Sequence, residues 1–229
     1  MLSNSIKHVF FDLDHTLWDF DRNSELAFAK LFLKYNIKIS LQNFLKIYKP
    51  INLSYWKLYQ EEKITKQLLR RKRLIETFAK FEKSFSLDWI DNVSQDYIYM
   101  LPENNFLMEG AVELLEYLKP NYSLHIITNG FREIQHSKLS GSGIIHYFKT
   151  ITNSEDAGVK KPNSLIFQHA LRISKAIPEE SIMIGDSFEA DILGAQKMGM
   201  KSLFFNYHMI DVDRVTPQIS KLTDVKKLL

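Results

Sequence analysis

The chain has 229 residues, of which 45% are hydrophobic and 25% are charged, and its formal net charge at pH 7 is +3. This balance excludes a disordered chain and predicts one large globular domain, or one domain that carries a smaller insertion. Because the chain contains no cysteine, disulfides, thiolate catalysis and cysteine-based metal sites are excluded.

The sequence also argues against a membrane protein. No stretch of it approaches the roughly 18 apolar residues that are needed to span a bilayer. The apolar part of the N-terminal segment, residues 1–11, is too short for a signal peptide and runs directly into acidic residues. We therefore expect a cytoplasmic protein without a membrane partner.

The first predicted elements are a strand and a helical block. Residues 7–11 form a short apolar run that is typical of a buried strand and stops at Asp12. Residues 19–100 then show helical spacing and no convincing strand. Ser40, Thr65 and Ser86 are predicted N-caps in this block, and the helix that follows Ser40 is expected to end by Pro50. The block predicts an all-helical cap, which would act as a lid inserted into a core of residues 1–18 and 101–229.

Strands and helices alternate after the block. Strands are predicted over residues 123–127, 181–184 and 201–205, and helices over residues 111–118, 133–139, 164–173 and 190–198. Short strands that alternate with helices of about ten residues imply right-handed crossovers. The sequence therefore predicts an α/β fold, a Rossmann-like doubly wound parallel sheet that is covered by helices on both faces.

Acidic residues follow two of the predicted strands. Asp12 and Asp14 come directly after the first strand, and their side chains converge on one site only if the chain turns there. Asp186 and Asp191 follow a later strand. Each pair has a structural alternative, because Asp is common in turns and at helix N-caps. Acids this close together are costly without a cation, so a divalent metal is the natural third party, and oxygen ligands favour Mg²⁺.

Two further motifs suit an anionic ligand. Thr128, Asn129 and Gly130 offer a hydroxyl, an amide and an open backbone at the start of a helix. Lys160 and Lys161 supply cations, and the proline that follows favours Lys161 as the better aimed of the two. An oxyanion cradle, a positive charge and metal-binding acids together indicate phosphoryl transfer.

The motifs resemble those of a known family. The segments with Asp12 and Asp14, with Thr128, with Lys161 before its proline, and with Asp186, in this order, resemble the four motifs of the haloacid dehalogenase-like (HAD) hydrolases. The inserted helical block is similar to the helical cap of that family. Residues 18–20 and 152–158 are similar to the corresponding segments of the house-cleaning pyrimidine 5′-nucleotidases, which act on nucleoside monophosphates.

The resemblance implies a set of roles. Asp12 is expected to attack phosphorus and form an aspartyl-phosphate, and Asp14 to act as general acid and then general base. The residues expected to hold the phosphoryl group are Thr128, Asn129, Gly130 and Lys161. The residues expected to hold Mg²⁺ are Asp12, Asp14 through its backbone carbonyl, and Asp186, with Asp191 in support.

We expect the cap to determine which substrate the protein binds. The basic run over residues 70–73 is read as a solvated helix face, with Arg73 as the residue to test for substrate binding. We expect the partner to be a small phosphorylated metabolite, such as a nucleoside monophosphate, rather than a nucleic acid polymer. Whether the protein is a monomer or a homodimer stays open.

Other functions remain open on this scaffold. A phosphatase or phosphomutase acting on sugar phosphates or phosphoglycolate would use the same motifs. A 2-haloacid dehalogenase would share the nucleophile, but it needs no acid at Asp14. A non-enzymatic protein that has kept the fold is the remaining alternative.

Overall fold

A computed structural model describes residues 5–212 and 216–229 of the chain. Residues 1–4 and 213–215, which belong to the predicted core, lie outside this described part. The chain divides into two compact units. One comprises the chain up to Phe20 together with Asn105–Leu229, and the other comprises Asp21–Asn104.

The first unit is built on a parallel sheet. Within the described residues the sheet has six strands in the order β3-β2-β1-β4-β5-β6. The strands are β1 (His8–Phe11), β2 (Ser123–Thr128), β3 (Phe148–Asn153), β4 (Ser181–Gly185), β5 (Lys201–Phe205) and β6 (Gln218–Ile219). All neighbouring strands pair in parallel. The predicted α/β class with a parallel sheet is therefore confirmed.

Strand β1 lies between β2 and β4, and its register with them shows where the three strands end. Phe11, the last residue of β1, pairs with Ile126 of β2 and with Ile184 of β4. The polar residues that follow these three strands therefore lie at one edge of the sheet. Strands β3 and β6 were not predicted, because β3 mixes exposed and buried positions and carries Lys149, while β6 has only two residues.

Helices flank the sheet in the first unit. They are α5 (Ala111–Leu118), α6 (Arg132–Gly141), α7 (Ser154–Ala157), α8 (Ser164–Ser174) and α9 (Gly194–Gln196). The regular helix predicted over residues 190–198 is wrong in detail. A π-helical segment, Phe188–Leu193, precedes the short α9. Such wide turns are frequently found at functional sites, and this one contains Asp191.

The second unit is helical throughout, as predicted. Its helices are α1 (Phe20–Lys34), α2 (Leu41–Gln60), α3 (Lys66–Ala79) and α4 (Leu87–Met100). Ser40, Thr65 and Ser86 cap α2, α3 and α4 by accepting backbone N–H groups at 3.4, 3.2 and 3.3 Å. These three predicted caps are confirmed.

The expected helix end at Pro50 is wrong, because α2 continues through Pro50 to Gln60. Side chains of α2 are buried on both sides of the proline, including Tyr48 before it and Tyr59 after it. Burial of a large side chain is worth about 1.5–3 kcal/mol. Two such anchors can outweigh the cost of about 3 kcal/mol for a proline inside a helix.

An apolar cluster fixes the strand ends. Phe10, Ile127 and Met183, from β1, β2 and β4, pack with Ile166 and Phe167 of α8, and all five are fully buried. Because three adjacent strands share this packing, the residues that follow them have little freedom to move.

Among the helices of residues 5–212 and 216–229, none combines the length and the hydrophobicity that a membrane span needs.

Candidate active site

The chain turns sharply after β1. The N–H of Asp12 continues the sheet by donating to the carbonyl of Ile184 at 3.0 Å. The carbonyl of Leu13 then accepts from Thr16 and Trp18, at 3.3 and 2.9 Å, which closes a tight turn. The chain therefore turns directly after Asp12 instead of staying extended. The carboxylates of Asp12 and Asp14 take different partners.

Asp12, Asp186 and Asp191 form a carboxylate cluster. One oxygen from each lies within 4.8 Å of the others. Asp12 and Asp191 are buried, and Asp186 is half-buried. The Thr16 hydroxyl donates to Asp186 at 3.2 Å, and the backbone N–H of Ser187 donates to Asp191 at 3.0 Å. These are three of the four residues predicted to hold a metal.

Gly185 makes room for this cluster. A Cβ on Gly185 would lie 2.2 Å from Oδ2 of Asp191, which is closer than real Cβ atoms come to any neighbour. Any larger residue would have to displace the carboxylate. The position of the Asp191 carboxylate therefore requires a glycine at position 185.

Lys161 faces the carboxylate cluster. Its Nζ donates to Oδ1 of Asp12 at 2.5 Å, to Oδ1 of Asp191 at 2.6 Å and to the carbonyl of Ile127 at 2.7 Å. An ammonium has three N–H donors, and all three are in use. Lys161 is 2% exposed, so its charge is held in place beside Asp12.

The carboxylates of the cluster outnumber the positive charge beside them. Burial raises the pKa of Asp12 to about 7; Lys161 opposes this shift, and the charges of Asp191 and Asp14 add to it. Burial and the charges of Asp12 and Asp191 likewise raise the pKa of Asp186 well above its ordinary value. One lysine cannot offset three carboxylates. Three clustered carboxylate oxygens with excess negative charge fit a divalent cation such as Mg²⁺.

The predicted oxyanion motif follows β2. The Thr128 hydroxyl oxygen accepts from the N–H of Gly130 at 3.1 Å and from Nε2 of Gln135 at 2.8 Å. The Asn129 side chain bonds the backbone of Lys161 twice, accepting its N–H at 2.7 Å and donating to its carbonyl at 3.0 Å. The amide of Asn129 thus holds the lysine segment in place.

Gly130 does not provide the open backbone position that the sequence motif predicts. A Cβ there would lie 1.6 Å from Nε2 of Gln135. The space left by the absent side chain is therefore filled by Gln135, and the glycine does not leave the backbone open at that point. Of this motif, Asn129 contacts Lys161 directly, through its two hydrogen bonds to the Lys161 backbone.

The carboxylate of Asp14 is not part of the carboxylate cluster. Lys138 donates to its Oδ1 at 2.5 Å, and Gln135 donates to its Oδ2 at 3.1 Å. Sequence reasoning missed both residues. The available signal was their position on α6, where they share the buried face with Ile134 and Leu139. A lysine and a glutamine on the apolar stripe of a helix need a buried partner.

Arg73 belongs to the helical unit and is buried, so the interpretation of residues 70–73 as a solvated face is wrong at this position. Its Nη1 donates to Asn52 at 2.9 Å, and its guanidinium carbon lies 5.9 and 5.2 Å from the ring centres of Tyr48 and Tyr97. Arg73 is buried on α3 together with the apolar side chains of that helix, which are Leu69, Leu74 and Phe78.

Comparisons with known proteins show which family the chain resembles. The family model described as haloacid dehalogenase-like hydrolase matches residues 6–199. Pyrimidine 5′-nucleotidase PynA of Streptococcus pneumoniae is 34% identical over 209 residues, which cover 90% of this chain and 86% of that protein. Glyceraldehyde 3-phosphate phosphatase of Methanothermobacter thermautotrophicus is 31% identical over 222 residues, which cover 91% of this chain and 89% of that protein.

A solved structure resembles the whole chain. The crystal structure of the HAD-hydrolase YfnB from Bacillus subtilis, bound to magnesium, has a TM-score of 0.90 and 30% sequence identity. The match covers 99% of this chain and 99% of that chain.

Proposed function

Because this chain belongs to the haloacid dehalogenase-like hydrolases, we propose that it is a Mg²⁺-dependent phosphomonoester hydrolase acting on pyrimidine nucleoside 5′-monophosphates. The observation that carries the proposal is the buried carboxylate of Asp12, held by Lys161 within a cluster of acids and close to Asp14. A nucleophilic carboxylate, a cation and a second acid are the groups that phosphomonoester hydrolysis through an enzyme ester requires.

In the first step, an oxygen of Asp12 forms a bond to phosphorus while the ester P–O bond breaks on the opposite side. The electron pair of that bond stays on the leaving oxygen, which takes a proton from the carboxyl group of Asp14. The product alcohol leaves, and the phosphoryl group remains on Asp12. Lys161 fixes the Asp12 carboxylate and supplies positive charge beside it.

In the second step, the Asp14 carboxylate accepts a proton from water as the water oxygen attacks phosphorus. The bond between phosphorus and Asp12 breaks, which releases inorganic phosphate and restores the free carboxylate. The Thr128 hydroxyl donates to a phosphoryl oxygen in both steps. Asn129 keeps Lys161 in place through its two bonds to that residue's backbone.

Asp12, Asp186 and Asp191 would hold the metal through their clustered oxygens, with the Asp14 carbonyl as a further ligand. When bound, Mg²⁺ supplies positive charge that offsets the repulsion between the carboxylate nucleophile and the phosphate. The presence of magnesium in the related YfnB structure supports this assignment.

The pyrimidine preference is supported by the similarity to PynA over most of the chain. We place the choice of substrate in the helical unit, as a cap, because the core motifs serve any phosphomonoester. A sugar-phosphate phosphatase is the second candidate, since the glyceraldehyde 3-phosphate phosphatase is similar over a comparable length. The presence of Asp14 favours either one over a dehalogenase, which needs no acid for its leaving group.

The chemical step is tested with an aryl phosphate. Purified protein with Mg²⁺ hydrolyses it, excess chelator abolishes the activity, and Asp12→Asn lowers kcat by several orders of magnitude, because the amide is a poor nucleophile. The matched control is Asp224→Asn, which removes a surface carboxylate that pairs with Lys227 and leaves the activity unchanged. Hydrolysis by the Asp12→Asn protein at the wild-type rate would refute the mechanism.

The substrate is tested separately. Uridine, cytidine and thymidine 5′-monophosphates are compared with purine monophosphates and with glyceraldehyde 3-phosphate, through kcat/KM for each. The proposal predicts the highest values for the pyrimidines. An equal or higher value for the sugar phosphate would replace the nucleotidase with the second candidate and leave the chemical step intact.

A further inference from the structure

Two polar side chains of α6 have no role in the steps described so far. Gln135 is 1% exposed and Lys138 is 3% exposed. Burying an amide or an ammonium is costly unless it is well bonded, so their partners identify what the burial achieves. Both side chains bond to residues to which the proposed reaction assigns a role.

The first shared partner is Asp14. Lys138 donates to one of its carboxylate oxygens at 2.5 Å, and Gln135 donates to the other at 3.1 Å. With one donor on each oxygen, the carboxylate cannot rotate about its Cβ–Cγ bond without losing a hydrogen bond. Lys138 is itself confined, because its Nζ lies 4.4 Å from the ring centre of Trp18 and 5.3 Å from that of Phe20.

The second partner, bonded by Gln135 alone, is the Thr128 hydroxyl. Its oxygen accepts from Nε2 of Gln135 at 2.8 Å and from the N–H of Gly130 at 3.1 Å. A hydroxyl has two acceptor lone pairs and one donor proton. Both lone pairs are occupied, so the proton points away from these two donors and is available to an anion.

The orientation of the Gln135 amide follows from its neighbours. A carboxylate only accepts hydrogen bonds, so the NH₂ group and not the carbonyl oxygen must face Asp14. The same NH₂ group then donates to Thr128. One side chain therefore connects the proposed acid–base group to the proposed phosphate donor.

We propose that Gln135 and Lys138 are positioning residues for this reaction, an inference that rests on the proposed function. Lys138 and Gln135 hold the Asp14 carboxyl group where it passes its proton to the leaving oxygen as the P–O bond breaks. Gln135 also turns the Thr128 proton towards the phosphoryl group. The proposal gives neither residue a contact with phosphorus or with the leaving oxygen, so each acts through the catalytic group that it holds.

The Lys138 part is tested by changing the leaving group. A nitrophenolate leaves as a stabilised anion and needs little help from an acid, whereas an alkoxide needs a proton. We expect Lys138→Met to lower kcat/KM about 10- to 100-fold for the best alkyl phosphate of the substrate panel, which is part of the full effect of a general acid. For p-nitrophenyl phosphate the loss is less than threefold. Equal losses on both substrates would overturn the assignment.

A matched control separates this effect from general damage. Lys226 also pairs with an acid, Glu113, at 2.6 Å, and its Nζ lies 5.4 Å from the ring centre of Tyr117. Lys226→Met removes the same kind of interaction outside the site and leaves both kcat/KM values unchanged. If Lys138→Met does not fold, Lys138→Gln, which keeps a donor of shorter reach, enters the same comparison.

A double-mutant cycle tests whether Lys138 acts through Asp14. In an Asp14→Asn background, Lys138→Met causes no further loss of kcat/KM on the alkyl phosphate. A further loss as large as in the wild-type background would show that Lys138 acts by another route.

Inorganic phosphate is the probe for the Gln135 part. Gln135→Met raises the inhibition constant of phosphate about two- to tenfold, the range expected for one hydrogen bond, whereas Lys138→Met does not change it. An unchanged constant in Gln135→Met would overturn the role of Gln135 at Thr128. Wild-type protein that hydrolyses no phosphomonoester would refute the proposed function itself, before any variant is compared.

Discussion

Gly130→Ala is expected to damage the activity without damaging the fold. The added Cβ would lie 1.6 Å from Nε2 of Gln135, 2.4 Å from its Cδ and 3.1 Å from its Cγ. Gly130 lies outside the left-handed region, so its backbone conformation itself admits alanine. The contact is with the end of a flexible side chain, and the amide must move by about 2 Å to reach ordinary van der Waals distance.

This movement breaks both hydrogen bonds of Gln135, at 2.8 Å to Thr128 and at 3.1 Å to Asp14. Each bond contributes about 0.5–1.5 kcal/mol, and a tenfold change corresponds to about 1.4 kcal/mol. We therefore expect kcat/KM to fall about 5- to 100-fold. The free energy of unfolding changes by less than about 2 kcal/mol, because no backbone group is displaced.

The assay combines steady-state kinetics with urea unfolding of Gly130→Ala, Gln135→Ala and the double variant. If the clash with Gln135 is the cause, Gly130→Ala has no further effect once Gln135 is alanine. Wild-type kcat/KM in Gly130→Ala would refute the reasoning. An undiminished loss in the Gln135→Ala background would do so as well.

Three further predictions concern other parts of the molecule. Burial, together with the charges of His8 and Lys149, lowers the pKa of His125 from 6.5 to about 3. The unfolded chain therefore binds a proton that the folded protein excludes, so the free energy of unfolding falls as the pH drops from 6.5 towards 3. At pH 5 the loss is about 2 kcal/mol. Urea unfolding at pH 7 and pH 5 shows this loss to be smaller in His125→Gln but not in His136→Gln, which removes an exposed histidine, and parallel losses in all three proteins would contradict it. Asn129→Leu removes both hydrogen bonds to the Lys161 backbone, at 2.7 and 3.0 Å. It therefore lowers the free energy of unfolding by about 2–4 kcal/mol and lowers kcat/KM at least tenfold. Unchanged kinetics would show that the reaction does not need these two hydrogen bonds. Arg73→Met keeps the free energy of unfolding within about 1 kcal/mol of the wild type, because an apolar side chain of similar size replaces a buried charge, while Arg73→Ala lowers it by about 2–4 kcal/mol; equal losses would contradict this account.

The sequence alone was sufficient for the fold class and for most of the motif positions. Short apolar runs alternate with helical periodicity, and this local signal predicts a parallel sheet without reference to distant residues. Parallel strands end at a common edge, so the acids after β1 and β4 and the hydroxyl at the end of β2 could be placed near one another by topology alone. Strand β3 and the continuation of α2 through Pro50 were missed, because partial exposure and a proline outweigh the periodic signal in a local pattern.

The contacts within the site depended on the tertiary structure. Lys161 pairs with Asp12 across 149 positions of the chain, and Lys138 pairs with Asp14 across 124. No local pattern encodes such pairings. Only the packed sheet and α6 determine which donor reaches which oxygen.

Gly130 and Arg73 illustrate the same limit. The sequence presents Gly130 as an open backbone and Arg73 as part of a basic surface, whereas packing fills the first position with Gln135 and buries the second between Tyr48 and Tyr97. Residue type and spacing determine which chemistry is available to the chain. Which groups meet is decided by burial, since a polar group removed from water must find its partner wherever the fold has placed one.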